Sequence, residues 1–282
     1  MPAPLRPAPA VVEVDGHRVG LTTTGSGEPL VLLHGIGRDR TDWSAVVPAL
    51  AERFTVYAID IEGFGESEPW GDGVTLGSMA RMVRRTIEAA GETRPLLLAG
   101  NSMGGAVALR IVADDPASIA RVVLLSPAGF GREAALGLRL LTVPVLGPVL
   151  LALDSSPLAL ALRLAVVDRT PEARASAVAA QRRMRRPAIR RQYLQVVHDL
   201  GAWGGIHEAW RAEVLEAVAA ADVPLLVLWG DRDVVLPHAH LDSVVGAVPQ
   251  AQARSLPGIG HMPQVEAPEE TADAMAEFLL AC

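Results

Sequence analysis

Pro95-Leu96-Leu97-Leu98-Ala99 is an unbroken apolar run, Gly100-Asn101-Ser102-Met103-Gly104-Gly105 is a turn of mostly small residues, and Ala106 to Ala113 recurs at helical spacing until Pro116. A short apolar run of this kind, with turn residues behind it, reads as a strand buried on both faces. A strand that passes through a glycine-rich turn straight into a helix is the opening of a βαβ unit. The turn fits Gly-x-Ser-x-Gly. In that setting the chain bends so sharply that the central serine is forced into a strained backbone conformation, with its hydroxyl presented at the carboxyl edge of the sheet. The small residues two before and two after keep neighbouring groups from colliding there. The first amides of the helix then face a reacting carbonyl, with the Met103 N–H best placed to donate.

Outward from this unit the same alternation continues. Val11–Val14 and Val19–Thr24 flank Asp15-Gly16, a strand–turn–strand pattern. Pro29–Leu33 is another apolar strand, ending in His34-Gly35-Ile36-Gly37, where the Ile36 N–H is a candidate second oxyanion donor. Thr41-Asp42 offers a helix N-cap ahead of Trp43, Val46, Val47 and Leu50. Phe54–Ile59, a helix through Leu76, Met79, Val83 and Ile87, and the strand Val122–Leu125 follow. Strands alternating with helices through short loops predict an α/β fold with a mostly parallel, doubly wound sheet. Between residues 127 and 221 the alternation gives way to a Leu-, Ala- and Arg-rich stretch without a clear strand, expected to be a helical insertion. It resumes at Leu225–Trp229, with a helix over about 238–248, a strand at Gln252–Leu256 and a last helix over about 268–280. The expected organisation is therefore a tail over 1–10, a core over 11–126 and 222–282, and a lid-like insertion over 127–221.

Composition narrows the chemistry. All 25 basic residues are Arg, which removes every mechanism that needs a lysine amine. The single cysteine is the last of 282 residues, so no disulfide, thiolate metal site or cysteine nucleophile is expected, and neither is a cofactor. A net charge of −7 argues against a nucleic-acid partner. The most apolar stretch, Leu140–Leu153, is broken by Pro144 and Pro148 and is too short to span a bilayer. With no oxidative staple and no signal-like run at Met1–Ala10, a cytoplasmic location is expected.

A serine hydroxyl needs a base and an orienting carboxylate. Of seven histidines, His261 lies in the Gly258-Ile259-Gly260-His261-Met262-Pro263 loop after the last strand, from which an imidazole can reach the sheet edge. The strand at 225–229 delivers Gly230-Asp231-Arg232-Asp233 at its carboxyl end, where open α/β sheets carry functional groups. Spacing alone does not separate Asp231 from Asp233.

Taken together, Leu32-Leu33-His34-Gly35, Gly63-Phe64-Gly65-Glu66-Ser67, the serine turn, Trp229-Gly230-Asp231-Arg232-Asp233, and Gly260-His261 with Glu266, Pro268 and Glu269 resemble the α/β-hydrolase fold family. The likeness is to its capped serine hydrolases, which include carboxylesterases and the meta-cleavage-product (carbon–carbon bond) hydrolases. The resemblance runs from about Val11 to Leu280 and implies a catalytic triad of Ser102, Asp233 and His261, with Asp233 preferred over Asp231 by the family spacing. It implies an oxyanion hole from Ile36 and Met103, and a cap in the insertion. An aspartate stands at the elbow in the epoxide hydrolases and haloalkane dehalogenases of this fold; Ser102 favours acyl chemistry instead. The expected activity is cleavage of a small or medium carboxylic ester, on a small-molecule substrate with an apolar acyl or alkyl part. Carbon–carbon hydrolysis by the same residues is the alternative, and a non-catalytic small-molecule receptor of the same fold is a second. Met262 stands where the carbon–carbon hydrolases usually carry an aromatic. The run Arg182, Arg183, Arg185, Arg186, Arg190 and Arg191 is expected to be a solvated face, with a substrate-carboxylate clamp as the sharper reading.

Overall fold

The central strands carry apolar side chains to both faces, and the two faces sort cleanly. Val31, Leu33, Leu96, Leu98, Val122, Leu124, Leu225, Val227 and Trp229 join one core, while Leu30, Leu32, Leu97, Ala99, Val123, Leu125, Leu226 and Leu228 join the other. That is what period-two alternation produces when helices cover both sides of a sheet. A computed structural model describes residues 10–71, 73–154 and 171–281. Its main sheet has eight strands: β1 (Ala10–Val14), β2 (His17–Thr24), β3 (Glu28–Leu33), β4 (Phe54–Ile59), β5 (Leu96–Asn101), β6 (Ile119–Leu125), β9 (Leu225–Gly230) and β10 (Ala251–Leu256), in the order β1-β2-β4-β3-β5-β6-β9-β10. The pairs from β4 to β10 are parallel; β2 is antiparallel to β1 and β4. The fold is α/β with a mostly parallel sheet, as the alternation predicts.

The first core is closed by α2 (Leu76–Ala89), α3 (Met103–Asp114), α8 (Glu208–Ala220) and the short α9 (Val244–Ala247), and the second by α1 (Val47–Leu50) and α11 (Pro268–Leu279), which follows the one-turn α10 (Pro263–Glu266). The start of α2 is set by Thr75, whose side chain accepts from the Ser78 N–H while Ser78 Oγ accepts from the Thr75 N–H. Two expected helices are divided. Residues 40–50 form a 3₁₀ turn, Arg40–Trp43, and then α1, which begins at Val47 with Pro48 in its first turn; the cap of the 3₁₀ turn is Asp39, not Thr41 or Asp42. Residues 238–248 likewise split into a 3₁₀ segment, His238–Ser243, and α9.

Within residues 127–221, the described elements are α4 (Leu136–Leu141), α5 (Leu146–Asp154), α6 (Pro171–Met184), α7 (Pro187–Leu200), a two-residue hairpin of β7 (Gly201–Ala202) and β8 (Gly205–Ile206), and α8. The hairpin was not expected: its strands are too short to show alternation, and its only signal is the Gly204-Gly205 turn, with Gly205 at a positive φ. α8 packs against α3 on the sheet. Most of the expected N-terminal tail and residues 155–170 of the expected insertion lie outside the described residues. Among the described residues no helix is long and apolar enough to cross a membrane, and no group of three or more His, Cys, Asp or Glu is arranged to hold a metal ion.

Candidate active site

Parallel strands end at the same edge, so β3, β5, β9 and β10 all deliver their following loops to one rim. Leu33 is level with Gly100, Asn101 with Leu125, and Gly230 with Leu256. On that rim β5 turns into α3 at Ser102, whose backbone sits at φ 55° and ψ −117°, a region that L-residues rarely adopt. The turn is held by the Ser102 N–H donating to the Leu125 carbonyl at 3.0 Å, and by the Ser102 carbonyl accepting from Gly105 and Ala128, each at 3.0 Å. Its tightness explains the flanking glycines. A Cβ on Gly100 would stand 2.3 Å from the Gly104 carbonyl oxygen, and one on Gly104 would stand 2.2 Å from the Leu33 carbonyl oxygen. No side chain fits either place.

The loop after β3 lies against this turn: a Cβ on Gly35 would sit 3.5 Å from Ser102 Cβ. His34 is locked with Nδ1–H donating to the Gly35 carbonyl (2.8 Å) and Nε2 accepting from the Ile61 N–H (2.9 Å), so it shapes the loop and does not face the cavity. Neither the Ile36 nor the Met103 N–H donates to a described protein group, and both residues line the same cavity as Ser102.

The two aspartates after β9 separate in space. Asp231 accepts from the Gly258 N–H at 2.7 Å and shapes the turn before the histidine loop. Asp233 is buried; its Oδ1 accepts from the Val235 and Leu236 N–H groups (2.8 and 2.9 Å) and its Oδ2 from His261 Nδ1 (2.7 Å). Burial by itself pushes the Asp233 carboxyl up. The adjacent His261 charge and hydrogen bond, with the two backbone donors, outweigh it and hold the group below the usual carboxylate range. The Nδ1–H tautomer fixed by Asp233 leaves Nε2 as the basic nitrogen. No hydrogen bond joins the Ser102 hydroxyl to the His261 ring in this structure. What ties them is the residue between: Asn101 Nδ2 donates to both the Leu125 and the His261 carbonyls, at 3.0 Å each. Glu266 adds a second hold, accepting from the N–H groups of Gly260 and Met262 at 2.9 Å each. The contacts of Asn101 are invisible to local pattern, since its acceptors lie 24 and 160 residues away.

Above Ser102 lies a partly open cavity, lined by sheet-edge residues such as Ile36, Met103 and Leu236 and by residues of the 127–221 segment such as Leu138, Val197 and Ile206. Among the described residues its lining is aliphatic or small apart from Ser102, Thr142 and Arg139. The Thr142 hydroxyl donates to the Arg139 carbonyl at 2.7 Å, and the Arg139 guanidinium lies over the Trp203 ring (4.9 Å) while its Nε donates to the Trp203 carbonyl (2.8 Å). None of the six arginines at 182–191 lines the cavity. Arg182, Arg185, Arg186 and Arg191 are exposed, Arg190 donates to the Met184 and Arg185 carbonyls, and Arg183 pairs with Asp39. The other histidines are also elsewhere: His17 stacks on Trp70, His207 meets the His198 carbonyl, His238 meets Ser255, and buried His240 meets Glu133.

This chain is similar to proteins of several names. The family model described as "alpha/beta hydrolase fold" matches residues 28–268. The dihydrolipoyllysine-residue acetyltransferase component of the acetoin cleaving system of Pseudomonas putida is 32% identical, over 97% of this chain and 70% of that protein. Lipase 1 of Psychrobacter immobilis is 30% identical, over 90% of this chain and 77% of that protein. The crystal structure of a putative lipase from Acinetobacter baumannii superposes with a TM-score of 0.83 at 23% identity, covering 97% of this chain and 91% of that one. The sheet order, the strained strand-to-helix turn and a family match across most of the sequence lead to one assignment: the chain belongs to the α/β-hydrolase fold family.

Proposed function

We propose that the protein is a serine hydrolase that cleaves a neutral carboxylic ester of short or medium acyl chain, with Ser102, His261 and Asp233 as its triad and the segment 127–221 as its cap. His261 Nε2 takes the Ser102 proton as Oγ attacks the acyl carbon. The Ile36 and Met103 N–H groups stabilise the oxyanion. His261 returns the proton to the departing alkoxide, and a water deprotonated by the same nitrogen then releases the acid. Asp233 holds the imidazole in its working tautomer and stabilises the imidazolium. The Ser102–His261 hydrogen bond forms as substrate binds, as commonly happens when apo geometry tightens.

The observation that carries this reading is Ser102 in its strained turn at the base of an apolar cavity, with the residue before it bonded to the carbonyl of His261, whose ring meets Asp233. The same cavity favours a neutral ester over the anionic dienoate of a carbon–carbon hydrolase. Among the described residues Arg139 is the one cation in its lining, and that guanidinium is engaged by Trp203. A dienoate carboxylate would be desolvated there without a partner, which is costly.

The test is a panel of p-nitrophenyl esters of increasing chain length set against a chromophoric 2-hydroxy-6-oxo-dienoate, with Ser102→Ala as control. Ester turnover is expected to dominate, and Ser102→Ala to lose about 10⁶ in kcat. Rapid dienoate bleaching with slow ester cleavage would reverse the substrate assignment. Ser102→Ala at the wild-type rate would end the serine mechanism.

A further inference from the structure

His261 is carried on an irregular loop, yet the N–H groups on either side of it and its own carbonyl are each held by a side chain. One oxygen of Glu266 accepts from the N–H before the histidine and the other from the N–H after it. Asn101 grips the carbonyl of His261 itself and anchors that grip to the end of β6 through the Leu125 carbonyl. Glycine at residue 260 leaves room for the carboxylate, since a Cβ there would stand 2.8 and 2.9 Å from the two Glu266 oxygens. Asp233 orients the ring about its own bonds, but it cannot fix where the peptide that carries the ring lies.

We propose that Glu266 and Asn101 are positioning residues that clamp the His261 peptide from both sides, so that Nε2 is aimed at Ser102 before substrate arrives. The proposal rests on the reading of Ser102, Asp233 and His261 as a triad. Asn101 is the residue immediately before the nucleophile, so the clamp registers the base against the serine through a single side chain and not through the long path around the sheet. A displacement of the reacting groups by about 1 Å costs on the order of 10²-fold in rate, which is the size of effect that a loosened loop gives.

The variants are Glu266→Gln, which keeps the shape and one acceptor oxygen, Glu266→Ala, and Asn101→Ala, which changes no charge; Glu270→Gln, exposed on α11, is the control. The readouts are the rate of Ser102 labelling by a fluorophosphonate from pH 5 to 9, kcat and KM on p-nitrophenyl butyrate, and the melting temperature. Expected are a fall of about 10–100-fold in both kcat and labelling rate for the alanine variants, a smaller fall for Glu266→Gln, and KM within about twofold of wild type. A folded Glu266→Gln and a folded Asn101→Ala that label at the wild-type rate with unchanged kcat overturn the clamp. A wild-type protein that does not label at all overturns the triad reading and the clamp with it.

Discussion

Ser102 is a β-carbon residue held where glycine would rest more easily, and its backbone angles imply strain of about 1–3 kcal/mol. The glycines at 100 and 104 cannot relieve it, because their role is to leave room for the carbonyls that cross the turn. Two replacements separate strain from chemistry. Ser102→Ala removes the hydroxyl and keeps the Cβ; Ser102→Gly removes both. Glycine regains the strain and gives back about 0.4–1 kcal/mol through the greater freedom of the unfolded chain. Ser102→Gly is therefore expected to exceed Ser102→Ala in stability by roughly 1 kcal/mol, with both devoid of ester turnover, in paired urea melts. A Ser102→Gly less stable than Ser102→Ala by about 0.4–1 kcal/mol would mean that the turn is imposed without cost. The residue scale is also where the sequence says most about chemistry: Gly-x-Ser-x-Gly and the acid-then-histidine order are short patterns, each tied to the end of one strand. Asn101 and Glu266 are less legible, because a side chain that bonds two carbonyls from different loops, or two amides around a histidine, leaves no periodic mark.

At the scale of elements, α6 is joined to the loop beneath it by Arg183 and Asp39. The Asp39 carboxylate caps the 3₁₀ turn, accepting from the Thr41 N–H at 2.9 Å and from the Thr41 hydroxyl, while it pairs with Arg183. Burial pushes this carboxyl up, but the Arg183 charge and the Thr41 bonds prevail and hold it below the ordinary value. A native value below the unfolded one means that the ionised form favours folding: the contribution is complete above about pH 4 and is lost as pH falls through the native value. Asn caps as well as Asp does, so Asp39→Asn isolates the ion pair from the cap. The variant is expected to melt below wild type at pH 7, with the difference closing as the melts are taken down towards pH 3; a gap that persists there would assign the loss to the cap. The sequence reads the long strands and α2 closely because burial repeats along them. It misplaces the cap at Thr41-Asp42 because Asp39, Thr41 and Asp42 are all competent capping residues, and only the fold brings Arg183 to the first of them.

For the whole molecule, the decisive feature is that the cavity has two walls of different origin. One is the sheet edge, Ile36, Met103 and Leu236; the other comes from the insertion, Leu138, Val197, Leu200 and Ile206. The first wall follows from strand order and is legible in the sequence. The second is not, because a Leu- and Ala-rich helix looks the same whether it faces a core or a substrate. A covalent adduct on Ser102 discriminates the two walls, since a short alkyl phosphonate touches only the sheet edge and a longer one reaches across. Each further methylene buried between them adds about 0.8 kcal/mol, which for a chain of this size is a rise of about 2 °C in melting temperature. The rise is expected to continue with each added carbon until the chain leaves the cavity, and then to stop. Leu138→Ala, which shortens the insertion wall, lowers the slope without changing the stability of the methyl adduct relative to its own free form. A melting temperature indifferent to chain length would mean that the alkyl group lies outside the cavity, and that the insertion does not close on the acyl chain as proposed.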